Sequence, residues 1–163
     1  TAAGLFRYDM ADELEVVGHC LNTPMVRFVG KAGRYLNVLG ERVSAEQVSE
    51  AVTRMSVDLD GFTVGVERGD VPTYVVAVEG KSVPADLAER FDQTLAEVNV
   101  EYASKRKSGR IGKPSLLLLN AGHYAEYRAR RVKEGAPEGQ LKDPILAIDD
   151  GEWSAVTGRE RYT

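Results

Sequence analysis

Lys142 lies in the stretch Glu138 to Pro144, EGQLKDP, with a glycine and a glutamine before it and a proline after it. A lysine carried on an irregular loop is a point charge, and such an ammonium can meet the oxygens of a transferring phosphoryl or adenylyl group. Read alone, the same stretch is an ordinary loop. Asp9 and Asp12 form a second polar cluster, at a turn that aspartate stabilises. Glu41 and Arg42, in LGERVS, stand just before a helix start and read as a solvated loop. Tyr102 to Arg110, YASKRKSGR, sets a run of cations beside one aromatic and reads as a solvated helix end. His19 and His123 are far apart in the chain, neither has metal-ligand spacing, and both read as structural or exposed. No metal site is expected. No nucleophile elbow, Walker loop or dinucleotide fingerprint occurs.

The elements that must position these groups follow from periodicity. Leu5 to Asp9 and Leu14 to Cys20 read as a β-hairpin, and Pro24 to Lys31 adds a third apolar-rich strand. GKAGR then has the composition of a loop or hinge. Tyr35 to Leu39 reads as a short strand. Ser44 with Gln47 predicts a capping box, and Val48, Ala51, Val52 and Met55 mark the inner face of the helix that follows. Strands are expected at Phe62 to Glu67 and Tyr74 to Glu79, joined by the turn-like RGDVPT. Ser82 is a candidate cap for a second helix, with Pro84 in its first turn and Leu87, Phe91, Leu95 and Val98 inward. A shorter helix runs from Asn99 to about Lys107, and SGRIGKP reads as a loop. The apolar run SLLLL predicts a central strand covered on both faces. A last helix, Tyr124 to Lys133, stops at Gly135. From Leu39 the order is β-α-β-β-α-(α)-β-α. It predicts an α+β fold, a mixed sheet with helices packed on it, close to a split βαβ unit.

Composition sets the outer bounds. The chain has 163 residues, enough for one domain or one domain plus part of a neighbour, and 43% of them are hydrophobic, enough for a core. A formal net charge of -4 argues against a general nucleic-acid partner. Cys20 is the single cysteine, which excludes an internal disulfide and suits a reducing cytoplasm. The longest apolar run is too short to span a bilayer, so a soluble cytoplasmic protein is expected.

Four stretches occur in one order: GLFRYDMADELEVVG, PMVRFVGKAGRYLNVLGERVS, YASKRKSGRIGKP and EGQLKDP. Together they resemble the C-terminal part of the acyl acid-amido synthetases, a family first known for auxin-responsive plant members and with many bacterial relatives. The resemblance implies membership of the adenylate-forming ligases. A carboxylic acid and ATP would give an acyl-adenylate and pyrophosphate, and an amino acid's amine would then displace AMP. It also implies that residues 1–30 belong to an N-terminal domain, that 31–34 are a hinge, and that 35–163 form a swivelling C-terminal lid. Asp12 matches the aspartate that binds the ribose hydroxyls of ATP, since a carboxylate can accept from both. Lys31 and Arg34 match the hinge. Lys142 matches the lid lysine that approaches phosphate and carboxylate during adenylation, and Gln140 matches its neighbour.

The chain also departs from the family pattern. Asp9 and Ala11 replace an arginine and a glycine, which should weaken nucleotide binding, and Lys31 stands where arginine is common. After Pro144, ILAIDDGEWSAVTGRERYT carries no recognised motif of the family pattern. No stretch could form the Ser/Thr/Gly-rich ATP loop or an acyl pocket, so the isolated chain is expected to be inactive. ATP, with Mg, would be held mainly by an N-terminal adenylation domain, the first expected partner, with the acid and amino acid as substrates. A homodimer through Leu5, Val16 or Phe28 is a further expectation. The alternative function is a lid-derived binding module that recruits a partner protein without catalysis.

Overall fold

The computed structural model describes residues 12–31 and 33–159, and its contacts divide into two compact units, Thr1–Arg34 and Tyr35–Thr163. In the first unit, strand β1 (Asp12–Cys20) pairs antiparallel with β2 (Thr23–Lys31). The hairpin is therefore made by the second and third predicted strands; Leu5 to Asp9 lie outside the described residues. Leu14 faces Phe28 and Val16 faces Val26 across the ladder, and all four are more than half exposed.

The second unit opens with a short ribbon, β3 (Tyr35–Leu36) against β4 (Val43–Ser44). The strand expected to reach Leu39 stops at Leu36, because the backbone N–H groups of Val38 and Leu39 turn inward to the Glu41 carboxyl, each at 2.8 Å. Helix α1 (Ala45–Arg54) begins with the expected reciprocal box: the Gln47 N–H donates to Ser44 Oγ, and the Ser44 N–H donates to Gln47 Oε1. Such caps contribute about 1 kcal/mol. Its inner face is the predicted one, with Val48, Ala51, Val52 and Met55 buried.

Strands β5 (Gly61–Glu67) and β6 (Thr73–Glu79) form an antiparallel pair in unbroken register, Phe62 opposite Val78 and Val64 opposite Val76. Helices α2 (Leu87–Val98) and α3 (Val100–Lys107) make the crossover to β7 (Gly112–Leu118), which pairs parallel with β6. Helix α2 starts later than expected. Ser82 does not cap it, and Asp86 stands at the cap position without a side-chain bond. The expected inner residues Leu87, Phe91 and Leu95 are fully buried, and Val98 is half-buried.

Strand order is β5-β6-β7, so β6 is central and β7 lies at the edge. This corrects the reading of SLLLL: Leu116 and Leu117 pack on opposite faces, while Leu118 is 60% exposed. A continuous apolar run reports covered faces, and hydrogen-bond order is decided by which strands pair. Part of the predicted SGRIGKP loop, Gly112 to Pro114, also belongs to β7.

The main core lies between one face of this sheet and α1, α2 and α3. The other face is covered by α4 (His123–Lys133) and α5 (Asp150–Thr157), through Trp153 on Ala77 and Ala147, and Tyr124 and Tyr127 on Val156. Beyond Pro144 the chain is integral to the fold: the Val64 N–H donates to the Ile145 carbonyl, the Ala147 N–H donates to the Val64 carbonyl, and Leu146 is buried. The α+β class and mixed sheet are as expected.

Candidate functional site

The segment bearing Lys142 follows a local turn and is fastened to the domain on its downstream side. Upstream, Glu138–Gln140 form a single 3-10 turn. Downstream, Pro144 ends the exposed part: its carbonyl accepts from Thr63 Oγ1 at 2.6 Å, and Thr63 is fully buried on β5. Thr63 Oγ1 in turn accepts from the Tyr124 phenol at 2.9 Å. Burial pushes that phenol well above its ordinary pKa, and the Asp143 and Glu79 carboxyls add to the rise, so it remains a donor. Between the turn and this anchor, Arg128 of α4 donates to Asp143 Oδ2 at 2.5 Å.

Tyr124 is itself held from two sides. The first turn of α4 lacks a side-chain cap of its own, and Glu79, at the end of β6, supplies one. The Gly122 N–H donates to Glu79 Oε1 at 2.5 Å and the Tyr124 N–H to Oε2 at 2.9 Å. A carboxyl at a helix N-terminus also meets the positive end of the helix dipole. On the other side, a Cβ on Gly61 would sit 2.4 Å from the Tyr124 ring, so only glycine lets the ring pack there. Gly135, with φ 97°, ends the helix where expected.

Lys142 is exposed at the tip of this fastened segment, and among the described residues its ammonium has no hydrogen-bond or ion-pair partner. Two hollows flank Arg128. One, of about 420 Å³, is lined by Asp60, Lys81, Tyr124 and Arg128. The other, of about 560 Å³, is lined by Arg128, Val132, Glu138 and Leu141. An unneutralised cation on a fixed loop can meet an anion without first breaking an internal pair.

The remaining expected residues separate into two groups. Gln140 closes the 3-10 turn two residues before Lys142. Asp12 opens β1 directly opposite Lys31 at the end of β2, and these two, with the exposed Arg34, belong to the first unit. Asp9 and Ala11 lie outside the described residues.

Glu41 corrects its reading as part of a solvated loop. Besides the Val38 and Leu39 N–H groups it accepts from the Tyr74 phenol at 2.6 Å, and it is only 2% exposed. Its carbonyl accepts from Asn99 Nδ2. Burial, then the bond to Glu41, drives the Tyr74 phenol far above its ordinary pKa. Arg42 is exposed over the Tyr35 ring. In YASKRKSGR, Arg106 is not a solvated cation either: its guanidinium donates twice to Asp92 and once to the Ile111 carbonyl. Both histidines read correctly. His19 is exposed, and His123 Nε2 lies 2.6 Å from the Val156 carbonyl, tying α4 to α5. Among the described residues no cluster could hold a metal ion, and no helix is long and apolar enough to cross a membrane.

Sequence reasoning missed Thr63, Glu79, Tyr124, Arg128 and Asp143. Asp143 adjoins the singled-out lysine and could have been noticed. The others meet it only through long-range packing.

Residues 43–150 match the GH3 family C-terminal domain, and residues 1–31 match the GH3 family central domain. The chain belongs to the GH3 family. A jasmonoyl–L-amino acid synthetase of Oryza sativa subsp. japonica is 27% identical over 155 residues, covering 87% of this chain and 26% of the relative. A GH3 domain-containing protein of Homo sapiens is 26% identical over 141 residues, 78% of this chain and 27% of the relative. The chain thus spans about a quarter of the length of these curated relatives. Among solved structures, the GH3.15 acyl acid amido synthetase superposes with a TM-score of 0.75 at 21% identity, covering 97% of this chain and 32% of that one.

Proposed function

We propose that this chain is the C-terminal lid portion of an ATP-dependent ligase that activates a carboxylic acid as its acyl-adenylate and joins it to an amino acid's amine. The observation that carries the reading is Lys142: exposed and unneutralised among the described residues, on a loop whose next two residues are fastened to the domain, in a domain matched to the GH3 family C-terminal model. As the α-phosphate of ATP is attacked by the acid, negative charge shifts onto bridging and pyrophosphate oxygens. A preplaced ammonium stabilises that charge more than it stabilises bound substrate. In the same reading Asp12 accepts from the ribose hydroxyls, Gln140 lies beside the nucleotide, and residues 31–34 swivel the lid. The division of contacts at Arg34 supports that hinge. ATP and Mg would be bound mainly by an N-terminal adenylation domain.

Two further parts belong to the proposal. Exposed Cys20 suits a reducing cytoplasm. The apolar hairpin face, Val16 with Phe28, would be covered by that N-terminal domain or by a second copy; Leu5 lies outside the described residues. A second reading, a non-catalytic module that recruits a partner protein, is favoured by the aspartate at position 9 where the family pattern has a cation.

The test is acid-dependent ATP–pyrophosphate exchange by the natural protein that contains this chain, over a panel of carboxylic acids. The reading expects exchange with some acids, and amide formation once amino acids are added. The chain alone should show none. Exchange absent with every acid, alongside stable capture of a protein partner, would favour the module.

A further inference from the structure

We infer that Asp143 and Arg128 are positioning residues for Lys142: their ion pair is a clasp that fixes where the lysine is presented. The inference rests on the ligase reading above and adds residues to it.

Three observations carry it. First, Asp143 is next to Lys142, so whatever orients its side chain also orients the lysine's backbone. Oδ2 receives the Arg128 guanidinium at 2.5 Å, and the Asp143 side chain is only 26% exposed. Second, Oδ1 of the same carboxyl is buried and has no hydrogen-bond donor among the described residues. Among the described residues the Arg128 guanidinium is the group that orients this carboxyl, through a charge-assisted bond stronger than a neutral one. Third, the clasp closes a circuit with the bonds around it. Tyr124 and Arg128 are one turn apart on α4. One reaches Thr63 and through it the Pro144 carbonyl, and the other reaches Asp143. Glu79 fixes the start of the same helix. Two consecutive residues after Lys142 are thus tied to one helix, while the lysine side chain remains exposed.

A group that stabilises a transition state must be placed before the reaction. A displacement of about 1 Å can cost on the order of 10²-fold in rate. The clasp would therefore act on turnover through Lys142, without touching substrate.

The experiment has two arms. In the natural protein containing this chain, Asp143→Ala and Arg128→Gln should each lower kcat for ATP–pyrophosphate exchange by roughly 10- to 100-fold, with KM for ATP changed less than about twofold. Asp143→Asn, which still accepts from Arg128, should retain most of the rate. Neither Asp143→Ala nor Arg128→Gln should lower the rate further when Lys142→Ala is already present. A further loss there would overturn the inference, because a merely structural defect would add to the lysine's loss. In the second arm, 15N relaxation on the chain itself should show a lower backbone order parameter at Lys142 in Asp143→Ala, with Val76 to Val78 of β6 unchanged. An unchanged Lys142 in Arg128→Gln, the milder variant should Asp143→Ala not fold, would equally overturn it. A silent Lys142→Ala would instead refute the ligase reading, and the relaxation arm would still decide whether the clasp exists.

Discussion

Glu41 and Lys142 are charged residues on connecting segments of the same domain, and the fold treats them in opposite ways. Glu41 spends its carboxyl on two backbone N–H groups and the Tyr74 phenol, and is 2% exposed. Lys142 has its neighbours fastened by Thr63 and Arg128, while its own ammonium has no partner among the described residues. The difference teaches how to sort polar residues by what they have left to bond. A group whose hydrogen-bond capacity is consumed within the domain is holding the fold. A group left uncommitted on a fixed backbone remains available to something outside it.

This contrast can be broken by mutation, and a core residue sets the scale. Phe91, fully buried on α2, should lose about 3–5 kcal/mol of stability as Phe91→Ala in denaturant unfolding. A loss below about 1 kcal/mol would mean that the α2 face is not the core face. Glu41→Ala should come next, at about 2–4 kcal/mol, since it strands buried donors at Val38, Leu39 and Tyr74. If it cost nothing, the Glu41 network would not be holding the β3–β4 ribbon.

A smaller effect should appear in acid. Burial raises the Asp92 carboxyl, but hydrogen bonds from Arg106 and Tyr102 and the guanidinium charge outweigh it, leaving a net lowering. A carboxyl lowered on folding adds stability that is present above its unfolded pKa of about 3.9 and is lost as pH falls through the folded value. Unfolding measured from neutral pH downward should therefore show acid destabilisation that is weaker in Asp92→Asn. Equal slopes would remove Asp92 from the set of committed groups. Smallest of all, Lys142→Ala should change stability by no more than about 0.5 kcal/mol, as an uncommitted surface residue does. A loss of several kcal/mol would make Lys142 another Glu41.

What the sequence disclosed follows from how far apart the interacting residues are. The Ser44–Gln47 box, the buried stripe of α1 and the stop at Gly135 are local, so composition and spacing reveal them. The edge position of β7 is not local, because the apolar run Leu116 to Leu119 would look the same on either side of β6. The tail was illegible for a related reason: Leu146 is placed by a bridge to Val64, and Trp153 by packing on Ala77. The motif singles out Lys142 as an expectation. The fastening around it was not legible, since Glu79, Thr63 and Arg128 come together only when β5, β6 and α4 pack.

The most direct test of the central claim compares the natural protein containing this chain with its Lys142→Ala variant in acid-dependent ATP–pyrophosphate exchange. Removing one preplaced electrostatic contact of this kind typically costs about 10²–10³-fold in turnover, or roughly 2.7–4 kcal/mol. We predict a fall of that size with ATP affinity nearly unchanged. Normal exchange in the variant would contradict the account and return Glu138 to Pro144 to the status of an ordinary loop.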